Sequence, residues 1–263
     1  MNFMKRLKAL QIMTIFVFLF AVSLKVGALD SASNWYCVHR PDNKQPSADP
    51  SIAYVEKYNG FYIDKRHGDD CEEKVIYLTF DAGYENGNIS KILDVMKKEN
   101  VTGAFFILGN LIEKNSDLVV RMFDEGHLVC NHTYSHKAMV NRSKDNIESE
   151  LIRLENLCLE RTGRSLSKYY RPPEGKFDEM SMQYVSELGY KTVFWSFAYA
   201  DWDNNAQMSA EKAKKKVLEN IHNGEVMLLH PTSSTNAEIL ADVIKELKAQ
   251  GYRFGTLDEL CSQ

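Results

Sequence analysis

From residue 74 onward, short runs of β-branched and aromatic residues alternate with stretches in which apolar positions recur every three or four residues. Val75 to Phe80 is followed by Ile89 to Asn100, Gly103 to Leu108 by Asp117 to Glu125, and His127 to Cys130 by Asp145 to Thr162. The alternation continues through Tyr169-Tyr170, Asp178 to Leu188, Thr192 to Trp195, Ala210 to His222, Val226 to Leu229, Ala237 to Gln250 and Arg253-Phe254. Strands that take turns with helices predict a parallel sheet, an α/β architecture. Asn88 is placed to cap the helix starting at Ile89 and Ser143 or Asp145 the one before Ile147, while Gly126, Gly163, Gly189 and Gly251 fall where helices should stop. Seven or so such strands either close into a barrel or stay open as a doubly wound sheet, and periodicity alone does not decide which. In both layouts, side chains at the carboxyl ends of the strands gather in one place.

The domain at 74–263 follows two segments of different pattern. Residues 29–73 are rich in Pro, Asp, Asn and Ser and predict an irregular N-terminal extension, relieved by a short helix within Ile52 to Tyr62 that leads into Phe61-Tyr-Ile. Residues 1–28 have the layout of a secretory signal: Lys5, Arg6 and Lys8, the mostly apolar run Ala9 to Leu24, then Lys25-Val-Gly27-Ala28. That run is shorter than the ~20 residues of a spanning helix, so cleavage near Ala28 is expected, with an uncleaved anchor as the alternative. The protein is read as exported, with no membrane partner beyond that anchor.

Composition adds exclusions. The four charges before residue 29 are all basic, so without them the formal net charge moves from −4 to −8. An acidic protein without a basic stripe is a poor nucleic-acid binder, and the Lys212 to Lys216 cluster reads as a solvated helix face. Five scattered cysteines, Cys37, Cys71, Cys130, Cys158 and Cys261, contain no Cys-x-x-Cys pair and support neither a zinc knuckle nor a disulfide framework, although Cys37 and Cys71 could form one bridge.

The candidate chemistry sits where strands end. Leu78-Thr-Phe-Asp81-Ala82-Gly-Tyr84-Glu85-Asn86-Gly puts a carboxylate into a glycine-containing turn, and Gly126-His-Leu-Val-Cys-Asn131-His132-Thr-Tyr134-Ser-His136 offers two imidazoles four apart. Either motif alone is weak, because a strand-end Asp commonly caps a turn and two loop histidines commonly face solvent. With Arg171-Pro-Pro-Glu-Gly175, Asp201-Trp202 and Leu228-Leu-His230-Pro231 they amount to a hydrolytic set. In order and context these segments, over roughly residues 74 to 260, resemble the polysaccharide deacetylases (NodB homology, carbohydrate esterase family 4). The Asp-Ala-Gly-Tyr-Glu-Asn-Gly variant looks like the branch of delta-lactam-biosynthetic de-N-acetylases that act on muramic acid in spore peptidoglycan.

The resemblance implies a distorted (β/α)7 barrel and a set of roles. Asp81 would be the general base, Arg171 would keep it ionised, His230 would be the general acid and Asp201 would orient that imidazole. His132 and His136 would hold a divalent metal ion, zinc being the first expectation. Most family members carry a second Asp after the base as a third ligand; here Ala82 has nothing to coordinate with. Tyr84, Glu85, Asn86, Tyr134, Pro173, Gly175 and Trp202 would contact the sugar, with core packing the competing role for Trp195 and Trp202. The expected substrate is N-acetylmuramic acid in peptidoglycan glycan strands, outside the cytoplasmic membrane in the cell wall or spore intermembrane space. The alternatives are deacetylation of N-acetylglucosamine in peptidoglycan or chitin, and a decayed glycan-binding barrel.

Overall fold

The run Lys74–Ala82 is apolar with almost no alternation, as a strand covered on both faces must be. In the computed structural model, which describes residues 32–262 apart from 39 and 41, it is a nine-residue strand buried along most of its length. The predicted signal or anchor at 1–28 lies outside the described residues. The strands in chain order are β1 Ser33–Asn34, β2 Gly60–Phe61, β3 Lys74–Ala82, β4 Ala104–Ile107, β5 Leu128–Asn131, β6 Ser167–Tyr170, β7 Lys176–Phe177, β8 Lys191–Val193, β9 Glu225–Leu229 and β10 Tyr252–Phe254.

Seven of them form one parallel wall in the order β9, β3, β4, β5, β6, β8, β2, and β10 pairs with the first three residues of β3. The wall curls back towards itself. Beyond β8 the chain bridges β9 at Phe197 and Met227, and Ile63, just after β2, bridges Glu225. This is the distorted barrel that the motifs implied, its last gap closed by irregular chain. Ser196 secures that closure: its N–H donates to the Val226 carbonyl, and its Oγ accepts the Val226 N–H at 3.0 Å. The same Oγ lies 2.9 Å from His222 Nε2, and His222 Nδ1 lies 3.2 Å from Glu225. The order of groups imitates a nucleophilic triad, but all three residues are buried. They fasten the wall.

The extension is more than a wrapping, because it supplies β2. Of the expected Ile52 to Tyr62 helix only Tyr54–Lys57 is α-helical, with Ile52 ending the short 3-10 helix Pro50–Ile52. Asn59 turns the chain at φ 56°, and Gly60 passes so close to Val55 that a Cβ would come within 2.3 Å of its Cγ1. Ser143 caps the helix Lys144–Thr162 as expected, and Gly163 ends it at φ 68°. Asn88 stands at the start of the helix Ile89–Lys98 but makes no cap hydrogen bond. All five cysteines are free, so Cys37 and Cys71 are not bridged.

Alternation along the strands sorts side chains between two apolar layers. Val75, Tyr77, Ala104, Phe106, Cys130, Tyr169, Val193 and Val226 fill the barrel. Ile76, Leu78, Phe80, Phe105, Ile107 and Val129 face the helices. A period of two then places the next inward side chain at each strand's carboxyl end: Asp81 after Tyr77 and Thr79, His132 after Cys130, Arg171 after Tyr169, His230 after Val226 and Leu228.

Candidate active site

Arg171 has no exposed surface, and all three nitrogens of its guanidinium are hydrogen-bonded. Its Nε donates to the Val193 carbonyl at 2.8 Å, and one terminal nitrogen donates to Thr79 Oγ1 at 2.9 Å and the Phe194 carbonyl at 3.1 Å. The other donates to Asp81 Oδ1 at 2.9 Å. Beneath it lies the Phe106 ring, with centroid 4.1 Å from the guanidinium carbon. A buried charge stripped of its partner costs about 3–5 kcal/mol, so Asp81 and Arg171 require each other. Burial pushes the Asp81 carboxyl up, but Arg171, His132 and His230 together pull it below its ordinary value. The carboxylate is therefore ionised at neutral pH, as a general base must be.

His132 Nδ1 lies 2.8 Å from the Arg171 carbonyl, which can only accept, so Nδ1 carries the proton. Its Nε2 lone pair is left facing Asp81 Oδ2 at 3.5 Å. Burial lowers the His132 pKa to about 4 despite the attraction of Asp81, and burial also lowers His136. The two rings are 5.0 Å apart. The turn carrying them is pinned. Thr133 (φ 70°) donates its N–H to Asn131 Oδ1, and His136 (φ 58°) donates its own to Thr133 Oγ1.

Two neutral imidazoles with a carboxylate oxygen close by are a donor set suited to a borderline divalent ion such as zinc. Ala82 is fully buried in the layer facing the helices and adds no donor. Among the described residues, the trio whose donor atoms all lie within 4.8 Å is a different one, Asp64, His67 and Glu259. There Arg66 and Arg253 already occupy the carboxylates, which removes the negative charge a cation would need. Asp81, His132 and His136 are not drawn together as closely as that trio.

Opposite them stands His230, whose Nδ1 is 2.7 Å from Asp201 Oδ1 while its backbone N–H donates to Asp201 Oδ2 at 2.8 Å. The buried carboxylate also accepts from Asn236 Nδ2 at 2.6 Å. Burial alone would lower the His230 pKa, but the hydrogen bond and charge of Asp201, helped by Asp81, raise it on balance. The imidazolium is thereby held closer to neutral pH, with its Nε2 side free to work on a substrate.

The candidate sugar contacts divide by exposure. Trp202 is 61% exposed with its ring 6.2 Å from that of His230, and Tyr84 is 44% exposed with its hydroxyl accepting from Asn204. These two stand in the open mouth, which removes core packing as the role of Trp202. Glu85 instead caps a helix, accepting from the Gly87 and Ile89 N–H groups, and Asn86 donates to the Thr232 carbonyl beside His230-Pro231 at 2.8 Å. Tyr134 is bound to Glu113 under the Arg153 guanidinium, and Pro173 and Gly175 are buried. Gly175 (φ 65°) lies where a Cβ would meet the Trp195 ring at 2.8 Å. Those five shape the walls. Two supporting residues escape motif reading: Thr79, which parity alone could have placed beside Asp81, and Asn236, which has no local signal.

Replacing Asp201 with Asn should remove the charge that raises His230, so the imidazolium loses its proton at lower pH. The rate, which needs that proton, should then fall away at a lower pH than in the parent, with kcat reduced roughly 10²-fold or more. A pH–rate profile checks this, and an unmoved alkaline limb would remove His230 from the acid role.

The sequence profile of the polysaccharide deacetylase family matches residues 68–193. Peptidoglycan-N-acetylmuramic acid deacetylase PdaA of Bacillus subtilis (strain 168) is 40% identical over 228 residues, spanning 86% of this chain and 85% of that protein. A peptidoglycan-N-acetylglucosamine deacetylase of Bacillus cereus is 34% identical over 189 residues, 70% of this chain and 67% of its own. The solved structure of Bacillus subtilis PdaA, a family 4 carbohydrate esterase, matches with a TM-score of 0.82 at 39% identity, covering 88% of this chain and 97% of that one. Agreement of this extent, over a barrel mouth that gathers an arginine-paired carboxylate, an aspartate-bonded imidazole and a pair of imidazoles, means that the chain belongs to the polysaccharide deacetylases of carbohydrate esterase family 4.

Proposed function

We propose that this protein removes the acetyl group from N-acetylmuramic acid in peptidoglycan glycan strands. The observation that carries the reading is the pairing of an ionised Asp81 with an Asp201-supported His230 at one barrel mouth, in a chain similar along most of its length to a peptidoglycan-N-acetylmuramic acid deacetylase. Export and action outside the cytoplasmic membrane follow from that substrate. The further expectation is that the freed amine serves muramic delta-lactam formation in spore cortex.

The geometry suits amide hydrolysis. Asp81 accepts the proton of the attacking water and Arg171 compensates its charge. His230 Nε2 returns a proton to the departing nitrogen, while Nδ1–H bonds to Asp201 and keeps the ring aimed. A divalent ion held by His132 and His136 would supply Lewis acidity towards the acetyl oxygen. Trp202 and Tyr84 offer ring faces to the sugar, and the turn that carries Tyr84 is a natural place to read the lactyl ether that separates muramic acid from glucosamine.

Mass spectrometry of muropeptides after treatment of peptidoglycan should find acetyl loss on muramic residues; loss confined to glucosamine would replace this substrate with the neighbouring one. An Asp81→Asn variant should lower kcat by about 10²- to 10⁴-fold, and release of acetate at the parental rate would disqualify Asp81 as the base. Chelation should slow the parent and added Zn²⁺ restore it, whereas indifference to chelators would take the ion out of the scheme.

A further inference from the structure

The N-terminal extension is fastened directly to the catalytic loop. β1 pairs antiparallel with β7, Ser33 opposite Phe177 and Asn34 opposite Lys176. Trp35 then donates its backbone N–H to the Gly175 carbonyl at 2.8 Å and its indole N–H to the Trp195 carbonyl at 2.7 Å. The Trp35 ring is buried, stacked on Phe194 at 4.2 Å. Anchoring this firm would bury the next residues too if packing were its purpose, yet Tyr36 is 67% and Val38 60% exposed. They border a groove of about 340 Å³ whose other wall is Trp195 and Ala198, a volume at the low end for a ligand site.

We propose that this groove is a second carbohydrate subsite, holding a neighbouring, non-reacting ring of the same glycan strand with Tyr36 as its stacking face. The proposal rests on the glycan-deacetylase reading. The groove adjoins the loop that carries Arg171, because Trp195 lines the one and packs against the other. Its ring lies against Gly175 of the loop that carries Arg171, and its centroid is 5.7 Å from the guanidinium carbon that holds Asp81. No charged side chain lines the groove, which disfavours a peptide-stem carboxylate or a phosphate polymer. A neutral pyranose fits, since it has an apolar C–H face for an aromatic ring and hydroxyls for the phenol and the backbone. A polymeric substrate necessarily presents such a ring beside the reacting one.

The test compares parent, Tyr36→Ala and Tyr36→Phe on a single disaccharide repeat containing N-acetylmuramic acid and on strands of several repeats. It is joined by co-sedimentation with insoluble peptidoglycan, which needs no turnover. Tyr36→Ala should raise KM on strands by about five- to tenfold, the loss of one good aromatic face. It should leave kcat and the disaccharide kcat/KM unchanged and weaken co-sedimentation to match, and Tyr36→Phe should retain the parental values. An equal effect on both substrates, or no effect on strands in either assay, overturns the subsite. A parent that binds strands through Tyr36 yet releases no acetate from strands or from the disaccharide would instead sink the deacetylase reading and keep the groove. A groove covered by a second copy of the chain would give dimers that Tyr36→Ala dissociates and strand binding that it does not weaken, and that too overturns the proposal.

Discussion

A guanidinium sealed inside a barrel has to be neutralised within bonding distance, and Arg171 meets that demand with Asp81. The consequences spread from this pair. Its four hydrogen-bond acceptors come from β3, β8 and the residue after β8, so the charge also ties together strands far apart in the chain. Its backbone carbonyl sets the tautomer of His132 and leaves the opposite ring nitrogen available. One residue thereby favours the ionised form of Asp81 and fixes the orientation of a candidate metal ligand. The Arg-Pro-Pro stretch suits the task, because two fixed φ angles limit where the loop can carry the residue.

Convergence of the remaining groups follows from strand parity. Each strand fills the barrel with every second side chain, and continuing that count past the last apolar residue brings Asp81, His132, Arg171 and His230 together at the barrel mouth. A one-residue slip in any strand would send its functional group into the helix-facing layer. That layer is where Ala82 sits. This position therefore adds no donor, and the groups left at the mouth are the neutral imidazoles of His132 and His136 and the ionised Asp81.

Much of this was legible in the chain. The strand–helix alternation predicts a parallel wall because it depends on local periodicity, whereas the groups at its mouth are named by the resemblance of the strand-end motifs to a known family. Glu85 and Asn86 show where that reading stops: a polar residue in a motif turn can serve the sugar or the backbone, and only coordinates reveal that one caps a helix and the other grips Thr232. The extension was opaque for a similar reason. Gly60–Phe61 is too short to carry a period, and its strand character comes from β8, its partner more than a hundred residues away. Asn236 acts across the fold on Asp201 from inside the helix Ser234–Ala249, where nothing in its neighbours announces the role.

The most direct test of the central claim is the ionisation of one carboxyl group. In metal-free protein, the ¹³C resonance of the Asp81 carboxyl should stay that of a carboxylate as pH is lowered through the ordinary aspartate value of about 3.9, because Arg171 and the two imidazoles facing it favour the charge. If Asp81 instead takes up its proton at or above that value, the buried pair does not hold the base ready, and the account built on it is contradicted.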